Sequence, residues 1–156
     1  MPDVFISYSS RDSVLANWLR QQLMAHNVST FLAEVNIAGG KGWKPEILQN
    51  LRQSTFVLFL ATPSSCASDA VKHEIGAALI LKKTFIPIMA GIHANQLPEW
   101  VQDKQAVDIY DSARTRTVFE SIAKTVVSKR FLAGLIVGVL AAGAIYLMAK
   151  GKGVRI

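Results

Sequence analysis

The segment Thr55 to Ala61 is apolar at every position after its first residue, rich in phenylalanine and leucine, and bounded by Ser54 on one side and Thr62-Pro63 on the other. A run without a polar face has nothing to turn toward water, so it predicts a strand buried on both sides. Such strands belong to layered α/β sheets. The rest of the chain alternates accordingly. Val4-Phe5-Ile6, closed by the polar string Ser7-Tyr8-Ser9-Ser10, reads as a first strand ending in a loop, expected at the centre of the sheet. Val28 to Leu32, Phe85 to Met89 and Ala106 to Asp108 read as a second, fourth and short fifth strand.

Helical spacing fills the intervals. Val14, Leu15, Trp18, Leu19 and Leu23 recur between Asp12 and His26, with a serine or aspartate where an N-cap is wanted. Pro45 suits the first turn of a helix whose apolar face is Ile47, Leu48 and Leu51. A further helix is expected over Ser68 to Lys82, with Val71, Ile75, Ala78 and Leu79 on one stripe and Glu74 at its flank, and another carries Val118, Phe119, Ile122 and Val126. Asn36 to Trp43 contains Gly39, Gly40 and Gly42 and reads as a loop. The alternation predicts a five-stranded parallel sheet flanked by helices, with function at the carboxyl ends of its strands.

Composition adds a second element. In 156 residues, 51% are hydrophobic and the mean hydropathy is +0.29, high for an ordinary small domain. The excess sits in Phe131 to Met148, which carries no charge and, as a helix, reaches about 27 Å, close to a hydrocarbon core. Lys129, Arg130, Lys150, Lys152 and Arg155 flank it and account for most of the net charge of +6, so that charge marks a membrane boundary and argues against nucleic acid as a partner. The expected division is a domain over 1–128, a transmembrane helix with basic flanks over 129–150 and a basic tail over 151–156. A docked apolar helix is the other reading of 131–148. Gly134, Gly138 and Ala142 fall four apart, a spacing that lets two such helices approach closely in lipid, although small residues are also simply frequent there. The first ten residues lack a basic and apolar leader, so the expectation is a single-pass membrane protein with its domain facing the cytosol.

Several sites are excluded. Gly39-Gly40-Lys41-Gly42 lacks the spacing and the Ser or Thr of a P-loop. His26, His73 and His93 are scattered without metal-ligand spacing, and the single cysteine, Cys66, has no activating partner, so neither a metal nor a bound cofactor is expected.

Asp3-Val4-Phe5-Ile6-Ser7-Tyr8-Ser9-Ser10-Arg11-Asp12 closely resembles the opening strand and loop of TIR (Toll/interleukin-1 receptor) domains. Ile37-x-x-Gly40-x-x-Trp43-x-x-x-Ile47 is similar to that family's loop after its second strand, Phe56 to Pro63 to its third strand and turn, and Ser68 to Glu74 to the helix that carries its glutamate. The resemblance covers roughly residues 3 to 125. It implies a flavodoxin-like fold and either of two functions, since some members hydrolyse or cyclise NAD and others only recruit partner TIR domains.

The NAD reading makes Glu74 catalytic, places Ser9 and Ser10 in a nucleotide-contacting loop and Ala38 and Trp43 in a mobile one, treats NAD as substrate, and implies self-association through the domain. It also implies signalling or antiviral defence. Read alone, Glu74 is better taken as a solvated helix residue paired with a lysine, the usual fate of a lone glutamate, while Ser7 to Arg11 is equally a strand end with a helix cap and Trp43 core packing. Two departures stand out: Ala70 occupies a position often held by tryptophan, and Phe31-Leu32-Ala33-Glu34 replaces a Phe-Leu-Asp pattern, with Glu34 standing in for the aspartate. The alternative functions are a non-catalytic membrane-bound scaffold and a sensor domain whose membrane helix itself disrupts the bilayer.

Overall fold

The computed structural model describes residues 1–35, 45–67, 76, 81 and 83–151, with 136–151 described by backbone alone. By chain contacts it divides into two units, Met1–Ala123 and Lys124–Ile156. Within the first, five parallel strands are hydrogen-bonded in the order β2-β1-β3-β4-β5: β1 (Val4–Ser9), β2 (Thr30–Val35), β3 (Phe56–Ala61), β4 (Thr84–Met89) and β5 (Val107–Asp108). The centre is therefore β3, the uniformly apolar run, and not β1 as expected. All six β3 residues are buried. The edges are unequal, six residues in β2 and two in β5.

β1 is also longer than its apolar triplet. Ser7, Tyr8 and Ser9 continue the strand because the ladder to β2 runs on to Ser9 opposite Val35, and pairing of main-chain groups outweighs serine's weak strand preference. Side chains alternate along it, so Phe5, Ser7 and Ser9 face one layer and Val4, Ile6 and Tyr8 the other.

The connections set the layers. The chain steps one way from β1 to β2 and the opposite way from β2 past β1 to β3, and since both crossovers are right-handed, their helices lie on opposite faces. α1 (Ser13–Ala25) buries Ala16, Leu19 and Leu23 and leaves Val14, 85% exposed, and Trp18 in solvent, a narrower stripe than the apolar spacing implied. It ends where Asn27 adopts a left-handed φ of 59° and the Val28 amide donates to the Leu23 carbonyl at 3.1 Å. α2 (Pro45–Gln53), opened by its proline, packs Ile47 and Leu51 onto the face that carries Phe5, Val57, Phe59 and Phe85. Burying one leucine of this kind stabilises the fold by about 1.5–3 kcal/mol.

A one-turn helix, α3 (Pro63–Cys66), follows β3 directly. Gly91, at φ 72°, makes the tight turn out of β4 that a side chain would strain. The last helix, α4 (Ser112–Gly151), opens with the Asp111 carboxylate accepting from the Arg114 amide, and buries Thr115, Phe119 and Ile122 on one stripe. The two helices expected here form one, because Lys129-Arg130 changes the side-chain character without introducing a backbone breaker. Among the described residues no helix is long and apolar enough to cross a membrane. From residue 136 onward the run 131–148 lies outside the described side chains. Phe131, Leu132 and Leu135, on its described part, are exposed, as is Val127 just before it.

Candidate functional site

Between β1 and β3 the chain reverses its direction of winding, which is where open parallel sheets leave a crevice at their carboxyl ends. The ladders mark the split. β1 stays paired to β2 as far as Ser9 opposite Val35, and β3 to β4 as far as Ala61 opposite Met89, but β1 and β3 pair only from Val4 opposite Phe56 to Ser7 opposite Phe59. Beyond that rung the two strands part.

On the α2 face, the first rung carries Phe31, Phe5, Val57 and Phe85, the second Ala33, Ser7, Phe59 and Pro87, and the last Val35, Ser9, Ala61 and Met89. On the β1 side of the split the side chains are thus the small ones of Ser7 and Ser9. Ser7 and Ser9 are 1% and 0% exposed, and neither hydroxyl has a hydrogen-bond partner among the described residues. Two buried, unsatisfied hydroxyls side by side on one strand are costly in an ordinary core.

Across the split, the two loops are tied together. Ser10–Asp12 forms a short 3₁₀ turn, with Ser10 exposed, and Asp12 sits at the N-cap position of α1 without capping it, contrary to the expectation from spacing. Its carboxylate accepts instead from the Thr62 hydroxyl, 50 residues away, at 2.7 Å. Thr62 in turn accepts from the Ser65 amide at 3.1 Å, while the Ser65 hydroxyl accepts from the Thr62 amide at 2.8 Å and donates to the Leu60 carbonyl at 2.9 Å. Thr62-Pro63-x-Ser65 starts a helix where the sequence alone suggests only a turn. Nothing local pointed to the distant carboxylate.

Two titrating groups adjoin the site. Burial, reinforced by Glu34 across the ladder, pushes the Tyr8 phenol above its ordinary value. Glu34 is thus a strand residue and not part of the loop, because β2 extends through Val35 to match β1. Burial likewise raises the Cys66 thiol, against a hydrogen bond from Ser65 that lowers it, so this cysteine is a poor nucleophile. Among the described residues no three His, Cys, Asp or Glu side chains gather as a metal set. A shallow depression along α2, lined by Pro45, Leu48, Gln49, Arg52 and Gln53, follows one outer stripe of that helix and not the strand tips.

Of the residues singled out in the sequence, Ser9 closes β1 where that strand has parted from β3, and Ser10 opens the turn that follows. Ala38, Trp43 and Glu74 lie outside the described residues, in the segments that follow β2 and α3. Gly134 is on α4 with nothing within 4 Å of where a Cβ would stand, and Gly138 and Ala142 lie on the same helix, their side-chain surroundings outside those described.

The model of the TIR domain family matches residues 4–123. Among solved structures, a metazoan TIR-STING receptor from C. gigas, in complex with 2',3'-cGAMP, superposes with a TM-score of 0.64 at 18% identity, over 79% of this chain and 40% of that one. The chain therefore spans well under half of that receptor's length. The TIR domain of a Toll-related receptor from Hydra magnipapillata superposes with a TM-score of 0.61 at 20% identity, over 78% of this chain and 98% of that one. The TIR domains of the activated Roq1 resistosome, which directly recognises the pathogen effector XopQ, superpose with a TM-score of 0.53 at 17% identity, over 80% and 84%. At these identities the likeness is one of fold.

Proposed function

The chain belongs to the TIR domain family, and on that premise we propose that it cleaves the nicotinamide-ribose bond of NAD at the crevice between β1 and β3, while the run 131–148 holds it at a membrane. The observation that carries the reading is the parting of these strands above Ser7 and Phe59, beside hydroxyls at Ser7 and Ser9 that have no partner among the described residues. A ribose or phosphate seated there supplies the partner that the Ser9 hydroxyl lacks.

One carboxylate suffices for this chemistry. The bond from ribose C1′ to the pyridinium nitrogen breaks with its electron pair going to nitrogen, so nicotinamide departs neutral and needs no general acid, unlike the leaving group of a glycosidase. Positive charge develops on the ribose, which Glu74 stabilises through space and by hydrogen bonds to ribose hydroxyls. Water then adds at C1′ and loses a proton, giving ADP-ribose, or an internal nucleophile of the dinucleotide closes a cyclic isomer. Self-association belongs to the proposal. A membrane span confines copies to two dimensions and raises their effective concentration, and Gly134, Gly138 and Ala142 offer a close-approach face. The domain then faces the cytosol, where NAD is available to it, in a signalling or defence role.

The test is nicotinamide release by the full chain reconstituted in liposomes, beside Glu74→Ala. Release by the wild type, lowered about 10²- to 10³-fold in the variant, is expected for loss of one preorganised electrostatic group. Intact NAD with the wild type leaves the non-catalytic scaffold. Deleting residues 131–156 should move the protein from membrane to soluble fractions, and continued pelleting with membranes would overturn the anchor.

A further inference from the structure

We infer that Asp12 and Thr62 form a latch that bridges the parted strands and sets the position of one wall of the site relative to the other. The inference rests on the NAD-cleaving reading of that crevice. Where main-chain pairing between β1 and β3 stops, at Ser7 opposite Phe59, the sheet itself no longer fixes how far apart the two tips stand. The hydrogen bond from the Thr62 hydroxyl to the Asp12 carboxylate, at 2.7 Å, is a tie across that gap. It is charge-assisted, and Thr62 is 4% exposed, so water competes weakly for the donor.

Both ends of the tie lead straight into the site. Asp12 follows Ser9 and Ser10 within the same turn. Thr62 caps α3, whose Ser65 locks the turn back onto the Leu60 carbonyl, and α3 runs into the segment that contains Glu74. Asp12 forgoes the usual role of its position, capping the amides of its own helix, and aims across the gap. A cap would serve α1 alone, whereas this contact joins the turn that follows β1 to the turn that follows β3. Asp12 and Thr62 are positioning residues, since neither is argued to touch the reacting bond.

Thr62→Val removes the donor and keeps the shape; Thr62→Ser keeps the hydroxyl; Asp12→Ala removes the acceptor; Asp12→Asn keeps an acceptor oxygen. Amide hydrogen exchange on the full chain in liposomes reads the latch without reference to activity. Thr62→Val should speed exchange at residues 10–13, across the gap, as well as at 64–67, and Asp12→Ala should do the reverse. Exchange that rises only on the mutated side overturns the latch, whether or not NAD is cleaved. In turnover, Thr62→Val and Asp12→Ala should each lower kcat about tenfold with KM nearly unchanged, with the double variant no worse than either, because a misplaced group costs transition-state stabilisation more than binding. Thr62→Ser and Asp12→Asn should recover most of it. An unchanged kcat in a wild type that cleaves NAD overturns the positioning role; a wild type that cleaves none removes the proposed function and leaves the latch to be judged by exchange.

Discussion

Ser9→Ala should make the protein more stable and, on the proposed function, less active. Ser9 is 0% exposed and its hydroxyl has no partner among the described residues. Folding therefore takes a hydroxyl out of water with no return from the described residues, at a cost of about 1–3 kcal/mol on protein mutational scales. Removing it recovers that cost less a few tenths of a kcal/mol for the contacts of one lost oxygen atom, a net gain of about 1 kcal/mol. For a domain of this size the gain should raise Tm by about 3–5 °C. Ser7→Ala should stabilise similarly, since Ser7 is 1% exposed and equally unpartnered, but it lies below the point where the strands part. The variants diverge in turnover. Losing a neutral hydrogen bond to substrate should lower kcat/KM about 2- to 13-fold for Ser9→Ala, with Ser7→Ala near wild type. Thermal unfolding and nicotinamide release on the same preparations decide it. A lower Tm for Ser9→Ala would mean the hydroxyl is satisfied in the folded protein, and equal turnover by all three would remove Ser9 from the substrate site.

The buried strand and the exposed helix stripe offer a contrast in stability. Leu58→Ala, at a fully buried position of β3, should cost about 2–5 kcal/mol, while Val14→Ala, 85% exposed on α1, should change stability by under about 0.5 kcal/mol, read as denaturation midpoints. Comparable losses would contradict the layer assignment. Tyr8 predicts an alkaline limit. Its phenol titrates higher in the folded than the unfolded chain, so the folded state holds more protons above the ordinary value of about 10, and stability falls as pH rises through that range. Glu34→Gln should lower the Tyr8 midpoint in a phenolate absorbance titration and soften that fall; an unmoved midpoint would show that Glu34 does not act on Tyr8.

Legibility followed the physics of each residue. β3 declared itself because six apolar residues in sequence leave a strand no wet face. Its place at the centre was not legible, since strand order comes from long-range pairing, and the shorter apolar triplet of β1 drew the assignment instead. β1 was cut short at Ile6 because serine and tyrosine carry little strand signal by themselves, whereas the ladder to β2 extends it to Ser9. The bounds of α1 are legible in its spacing, but Val14 and Trp18, which share that apolar spacing, lie in solvent. Ser9 and Ser10 could be placed at a strand end from motif alone. Asp12 could not be linked to Thr62, because a side chain fifty positions away leaves no trace in local spacing.

The unequal edges constrain how copies of the domain can assemble. A fibre built by adding one sheet to the next, head to tail, would have to mate the six residues of β2 with the two of β5, and four positions of the longer edge would go without a backbone partner. Strand-by-strand polymerisation is thereby discouraged in the architecture itself. Head-to-tail stacking of this domain would leave most of the cohesion to side chains on helices and loops, where a substitution can alter it without unravelling the sheet.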